Sequence, residues 1–116
     1  MLLRHWQNAT PPLEISIWQI AEPLDFFQAA LAGQLPAAEA AELAAVRHPA
    51  QQLQRLAARH LARLQLRLPA GVGVVSAPEG WPLLTDARAH LSLSHTEGYV
   101  AALSSPVAAV GLDLER

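Results

Sequence analysis

The sequence predicts an α/β fold of the α+β kind, with about three helices packed on a mostly antiparallel sheet. Three observations point there. An early stretch alternates apolar and polar side chains, a middle stretch repeats its leucines at three- and four-residue steps, and the last third returns to alternation between turn signals. At 116 residues the chain has room for one domain, and 52% hydrophobic against 16% charged residues supplies a core. Eight Arg against ten Asp and Glu give a net charge of −2 with no lysine, which argues against bulk attraction to nucleic acid or an anionic membrane. Any anion site must therefore be local, built from Arg, His or backbone N–H groups. The absence of cysteine excludes a disulfide scaffold, a thiolate zinc site and a cysteine nucleophile.

Taken in order, Met1 to Asn8 is too polar and too briefly apolar for a signal peptide, and no stretch of about 18 uncharged apolar residues follows, so a cytoplasmic protein is expected. After Thr10-Pro11-Pro12, the alternating, β-branched run Leu13 to Ile20 predicts the first strand. Pro23 precedes a short helix from Leu24 to Leu31 that Gly33 can stop, and Pro36 can open an alanine-rich second helix reaching about Arg47. His48-Pro49 restarts the chain. Leu53, Leu56, Ala57, His60, Leu61, Leu64 and Leu68 then share one helical face, making this the longest helix, which Pro69-Ala70-Gly71 ends. Val72 to Ser76 predicts a short strand, Ala77 to Pro82 a loop, and Asp86 to Arg88 a turn. Ala89–Ser94, Tyr99–Leu103 and Val107–Glu115, joined at Glu97-Gly98 and Ser104-Ser105-Pro106, have the spacing of an antiparallel meander.

Four groups of residues could carry chemistry. In the last strand Asp113 and Glu115 fall on one face, where a divalent cation with oxygen ligands such as magnesium would relieve their repulsion; the alternative is a solvated strand edge. His95, between Ser94 and Thr96 at a strand end, offers a phosphate cradle or else a histidine satisfied by backbone carbonyls. Neighbouring strand residues face opposite ways, so Ser94 beside His95 does not make a hydrolase triad. Arg55, Arg59, Arg63 and Arg67 form a stripe on the long helix, ordinarily a solvated face, from which one or two could reach a phosphate. Trp81, in the Gly80-Trp81-Pro82 loop, is expected to be buried, with stacking on a base as the alternative.

Gly80-Trp81-Pro82, the run Leu91-Ser92-Leu93-Ser94-His95-Thr96, and Val110-Gly111-Leu112-Asp113-Leu114-Glu115 occur in the order and spacing of G-x-P, S-H-[ST] and G-[IL]-D-[ILV]-E. With Leu56-Ala57-Ala58-Arg59-His60-Leu61 upstream, the chain resembles the 4′-phosphopantetheinyl transferases of the surfactin-synthetase-activating type. The resemblance runs from about Leu13 to Arg116 and covers the first half of such an enzyme, one of two α/β halves related by pseudo-twofold symmetry with coenzyme A in the cleft between them. Two departures stand out. Trp81 replaces the lysine of many relatives, and alanines around Ala37 to Ala45 replace basic residues.

The resemblance implies roles residue by residue. Asp113 and Glu115 would bind magnesium at the coenzyme A pyrophosphate, Ser94 and His95 would hold the 3′-phosphate, Arg59 matches the helix arginine, and Gly80 and Pro82 fit the adenine-side loop. In the implied reaction a serine hydroxyl of an acyl or peptidyl carrier protein attacks the β-phosphate of coenzyme A, phosphopantetheine moves to the serine, and 3′,5′-ADP leaves. The family's W-x-x-K-E motif has no counterpart here, so the general base is expected outside the chain, in a second half or a second subunit. An apolar wall without its cleft partner would favour self-association into a homo-oligomer. The alternatives are a coenzyme A-binding or assembly module without catalysis, one subunit of a split enzyme, and, more remotely, a small metal-dependent hydrolase using His90, His95, Asp113 and Glu115.

Overall fold

The computed structural model describes residues 1–9 and 12–107. Among them are six strands, β1 (Leu2–Ala9), β2 (Pro12–Gln19), β3 (Val74–Ser76), β4 (Pro82–Leu84), β5 (His90–Thr96) and β6 (Tyr99–Ser105), and three helices, α1 (Leu24–Leu31), α2 (Ala37–Ala44) and α3 (Pro49–Leu66). The fold is α+β and its strand pairings are antiparallel, as the alternating and helical periods indicate. One sheet has the order β1-β2-β6-β5 and a second pairs β3 with β4. β2 and β6 are far apart in sequence but adjacent in the sheet, with Ser16 opposite Ala102 and Trp18 opposite Val100. The helices emerge between them and return across one face.

α3 lies across β6, β2 and β5 and also packs on α1 and α2. That double coverage explains why Leu56, Ala57, Ala58, Arg59, Leu61, Ala62 and Arg63 are all buried, a wider arc than one apolar stripe. Leu64, which the leucine spacing places on the stripe, is instead half exposed at 52%. Pro49 occupies the first helical turn, where its missing N–H has no bond to lose. The helix ends earlier than Gly71 suggests: Arg67 takes the left-handed conformation (φ 52°), and Leu68 N–H donates to the Arg63 carbonyl at 3.1 Å. At the core, Trp18 of β2 meets Phe27 of α1 and His60 of α3 edge to face, with ring centroids 6.4 and 5.2 Å away.

Two strands escape the sequence pattern. β1 covers the segment read only as too polar for a leader, and all eight of its residues are exposed. It forms the sheet edge, held to β2 by a register from Arg4 opposite Ile17 to Ala9 opposite Pro12. β4 begins at Pro82, where a loop was expected, and is anchored to β3 through Val74 opposite Leu84. The remaining meander strand, Val107 to Glu115, lies outside the described residues apart from Val107, which is exposed.

Candidate functional site

The β-hairpin formed by β3 and β4, the end of β5 and one side of α3 enclose a cavity of about 210 Å³ lined by Arg55, Ala58, Arg59, Ser76, Gly80, Pro82, Leu93 and His95. Arg59, Gly80, Pro82 and His95, which the sequence singles out from three separate segments, thus meet at one place. Each arrives by a local cause. Alternation along β5 turns Leu93 and His95 toward α3 and Ser94 to the other face of the sheet. Gly80 has φ +103°, a conformation that side chains rarely adopt, and closes the hairpin through Gly80 N–H to Ala77 O and Ala77 N–H to Trp81 O, both 2.8 Å. The turn places Pro82 against the cavity.

The arginine stripe divides in two. Arg55 and Arg67 are exposed, whereas Arg59 and Arg63 are only 6% and 7% exposed, so the reading of a wholly solvated face is corrected. The causes are α2, which packs on α3 and brings Glu39 and Glu42 beside Arg59, and the segment after the helix, whose carbonyls take Arg63. Arg63 turns to the end of its own helix, where it donates to the carbonyls of Val72, Pro69 (2.9 Å) and Leu68 (3.4 Å). Arg59 faces the cavity and is held by charge: its Nε is 3.7 Å from Glu39 Oε2 and its Nη2 3.9 Å from Glu42 Oε2. Its Nη1 is buried without a hydrogen-bond acceptor among the described residues. A buried donor in that state costs about 1–3 kcal/mol, which a ligand oxygen would recover.

Glu39 and Glu42 are the site residues that sequence reasoning missed. Glu39 is fully buried, and neither carboxylate oxygen makes a hydrogen bond of good geometry. Burial pushes its carboxyl above the usual carboxylate range; the Val74 N–H and the Arg59 and Arg63 charges oppose the rise, and Glu42 adds to it. Gly73 makes room for it, since a Cβ there would stand 2.0 Å from Glu39 Oε1 and 2.6 Å from Pro36 Cδ. Glu42 accepts the Ser76 N–H at 3.0 and 3.2 Å and so ties α2 to β3 at the rim of the cavity. The signal was present in the spacing: Glu39 precedes Leu43 by four residues in an alanine-rich helix, which places a carboxylate on the face that packs inward.

Other expectations divide as follows. Ser94 is buried on the far face of β5 and does not line the cavity with His95. His95 itself is exposed, so a histidine enclosed at the strand end is not what the structure holds. Trp81 is 56% exposed, which corrects the expectation of burial: the Gly80 turn points the indole outward, toward a neighbouring depression that it shares with Leu83, His90 and Leu91. Asp113 and Glu115 lie outside the described residues, and no cluster of three or more potential metal ligands occurs among the described ones.

A larger cavity, about 560 Å³, opens at the other end of β5 near Gln7, Leu13, Leu66 and Arg88. The guanidinium in its described lining is already engaged, because Arg88 pairs with Asp86 at 2.5 and 2.6 Å. Size and chemistry therefore part company, and the smaller cavity is the one whose wall holds a buried guanidinium nitrogen without an acceptor among the described residues. Among the described residues no helix is long and apolar enough to cross a membrane. No protein-family model matches the chain, and no curated protein matches it significantly.

Proposed function

We propose that the chain is the coenzyme A-binding first half of a 4′-phosphopantetheinyl transferase, and that the cavity between α3, β5 and the β3–β4 hairpin takes a phosphate of the nucleotide portion. The observation that carries this reading is the convergence of Arg59, Gly80, Pro82 and His95 on one cavity, together with a buried Arg59 Nη1 that lacks an acceptor. Guanidinium and imidazole N–H groups are the donors such a site needs in a chain without lysine. Arg59 supplies a fixed charge and directional N–H groups, His95 an exposed ring nitrogen at the mouth, and the hairpin a wall that excludes water from one side. Little covalent chemistry is asked of these residues, because phosphoryl-type transfer depends mostly on positioning and on charge stabilisation.

Asp113 and Glu115 would hold magnesium, whose contribution when bound is to neutralise the pyrophosphate. The attacking serine belongs to the carrier protein, and the general base and the rest of the cleft to a second half or second subunit in this reading. Transfer from coenzyme A to an apo carrier protein, with and without a supplied second half, tests it. The chain alone is expected to be inactive while binding coenzyme A with Mg²⁺ in a calorimetric titration. Robust turnover by the chain alone would refute the half-site, and absence of binding would refute the transferase reading.

A second reading, an assembly module that keeps the fold without catalysis, draws on β1. All eight of its residues are exposed, Leu2, Leu3 and Trp6 among them, at the edge of the sheet that the described strands form. It expects concentration-dependent self-association in sedimentation and no affinity for coenzyme A.

A further inference from the structure

Building on the reading of the cavity as a phosphate site, we infer that Glu39 acts from behind as an internal competitor for Arg59. Its buried carboxylate holds the guanidinium at the cavity wall and limits how much positive charge an anionic ligand can use. The geometry separates this pair from a structural ion pair. A buried pair that stabilises a fold is closed by hydrogen bonds, commonly two in parallel between guanidinium and carboxylate. Here the nearest approach is 3.7 Å, and neither Glu39 oxygen nor Arg59 Nη1 has a hydrogen-bond partner of good geometry among the described residues. The attraction is therefore mainly Coulombic, leaving Arg59 held but not consumed.

Glu39 does not line the cavity, whereas Arg59 does, so a phosphate in the cavity and the buried carboxylate would draw on one guanidinium without meeting in the cavity. Arg63 offsets part of the Glu39 charge through space but gives it no hydrogen bond, its donors going to the carbonyls of Val72, Leu68 and Pro69. Glu42 adds a second negative charge at 3.9 Å, screened by its exposure of 36%. Glu39 is at the same time a positioning residue, since the wedge of Gly73 and Pro36 fixes where its carboxylate can sit.

The consequence has an unusual sign. Removing the Glu39 charge while keeping its shape strengthens anion binding, whereas damage to a structural residue would weaken it. Glu39→Gln is expected to bind inorganic phosphate and adenosine 3′,5′-bisphosphate roughly tenfold more tightly than the unaltered chain, and Glu42→Gln to shift in the same direction by less. Isothermal titration measures both, with circular dichroism reporting the fold. A folded Glu39→Gln chain whose affinity is equal to or below that of the unaltered chain overturns the inference while leaving the phosphate site standing. If Glu39→Gln does not fold, the Glu42→Gln result decides, and no gain there overturns it equally. Should the unaltered chain and both variants bind neither probe, the phosphate reading itself fails and the inference with it.

Discussion

One turn of α3 separates two arginines that are buried alike and used differently. Around Arg63 hydrogen bonds dominate: the guanidinium closes the helix end by donating to the Val72, Leu68 and Pro69 carbonyls. Around Arg59 the charges of Glu39 and Glu42 stand at 3.7 and 3.9 Å, and Nη1 finds no acceptor among the described residues. Burial is nearly the same, 7% and 6% exposed. Satisfaction is what differs. A satisfied buried cation stabilises the fold, and an unsatisfied one at a cavity wall is a donor kept for a ligand, so the two ends of the same stripe should fail in different ways.

The largest effect expected is at the satisfied end. Arg63→Ala strips three carbonyls of their donor and should lower unfolding free energy by about 3 kcal/mol, read as a drop in the urea midpoint. Affinity for phosphate should change little in the folded fraction. A variant that kept its stability and lost phosphate binding would reverse the roles assigned to the two arginines.

Next comes the wedge that holds Glu39. Gly73→Ala drives a methyl group into Glu39 Oε1 and the Pro36 ring, and a rigid ring cannot swing aside as a side-chain end can. The expected loss is about 2 kcal/mol, the ordinary range for overpacking, with phosphate affinity altered as well because Glu39 is displaced from Arg59. A neutral outcome would mean that Glu39 is not confined where the distances place it.

The unsatisfied end is best tested by removing both charges. Arg59→Met with Glu39→Gln replaces a loose ion pair by neutral side chains of similar volume, an exchange that often leaves stability within about 1 kcal/mol. Phosphate affinity should nevertheless fall at least tenfold, about 1.4 kcal/mol. Unfolding and titration measured on one preparation separate the two quantities, and a double variant that lost stability without losing affinity would place Arg59 with Arg63.

How far this was legible in the sequence follows the range of the interactions. Periodicity is local, so Leu13–Ile20, the three helices and the β5–β6 hairpin could be read from spacing, and β2 and α3 lie within a few residues of their expected limits. β1 could not: it is an edge strand with both faces exposed, and nothing selects for alternation where no face is buried. Arg59, Gly80, Pro82 and His95 were visible as chemistry, but their meeting depends on how the β3–β4 hairpin lies along α3 and β5, which no spacing encodes. The carbonyls that take Arg63 and the packing of α2 on β3 that hides Glu39 are likewise set outside the helix pattern. An arginine repeat of four says where side chains sit on a helix; what covers the helix decides which of them meet water.

The smallest effect concerns His60, the residue after Arg59, which the helix turns about 100° away from it and into the aromatic cluster. Its ring stands 5.8 Å from both Phe26 and Phe27 and 5.2 Å from Trp18. Burial lowers its affinity for a proton below the ordinary 6.5, with Glu22 pulling the other way. The unfolded chain takes up that proton near pH 6.5 and the folded chain only at lower pH, so the unfolded state binds more protons in between and stability falls as pH drops through 6.5. His60→Phe keeps the edge contacts and removes the titration. Urea midpoints at pH 7.5 and 5.5 should therefore fall less for His60→Phe than for the unaltered chain, while phosphate affinity at pH 7.5 is the same in both. A larger acid loss in the variant would show that Glu22 outweighs burial and that the ring is charged within the core. A change in phosphate affinity would show that the two flanks of α3 are coupled, and the division of the helix into a structural side and a ligand side would then give way.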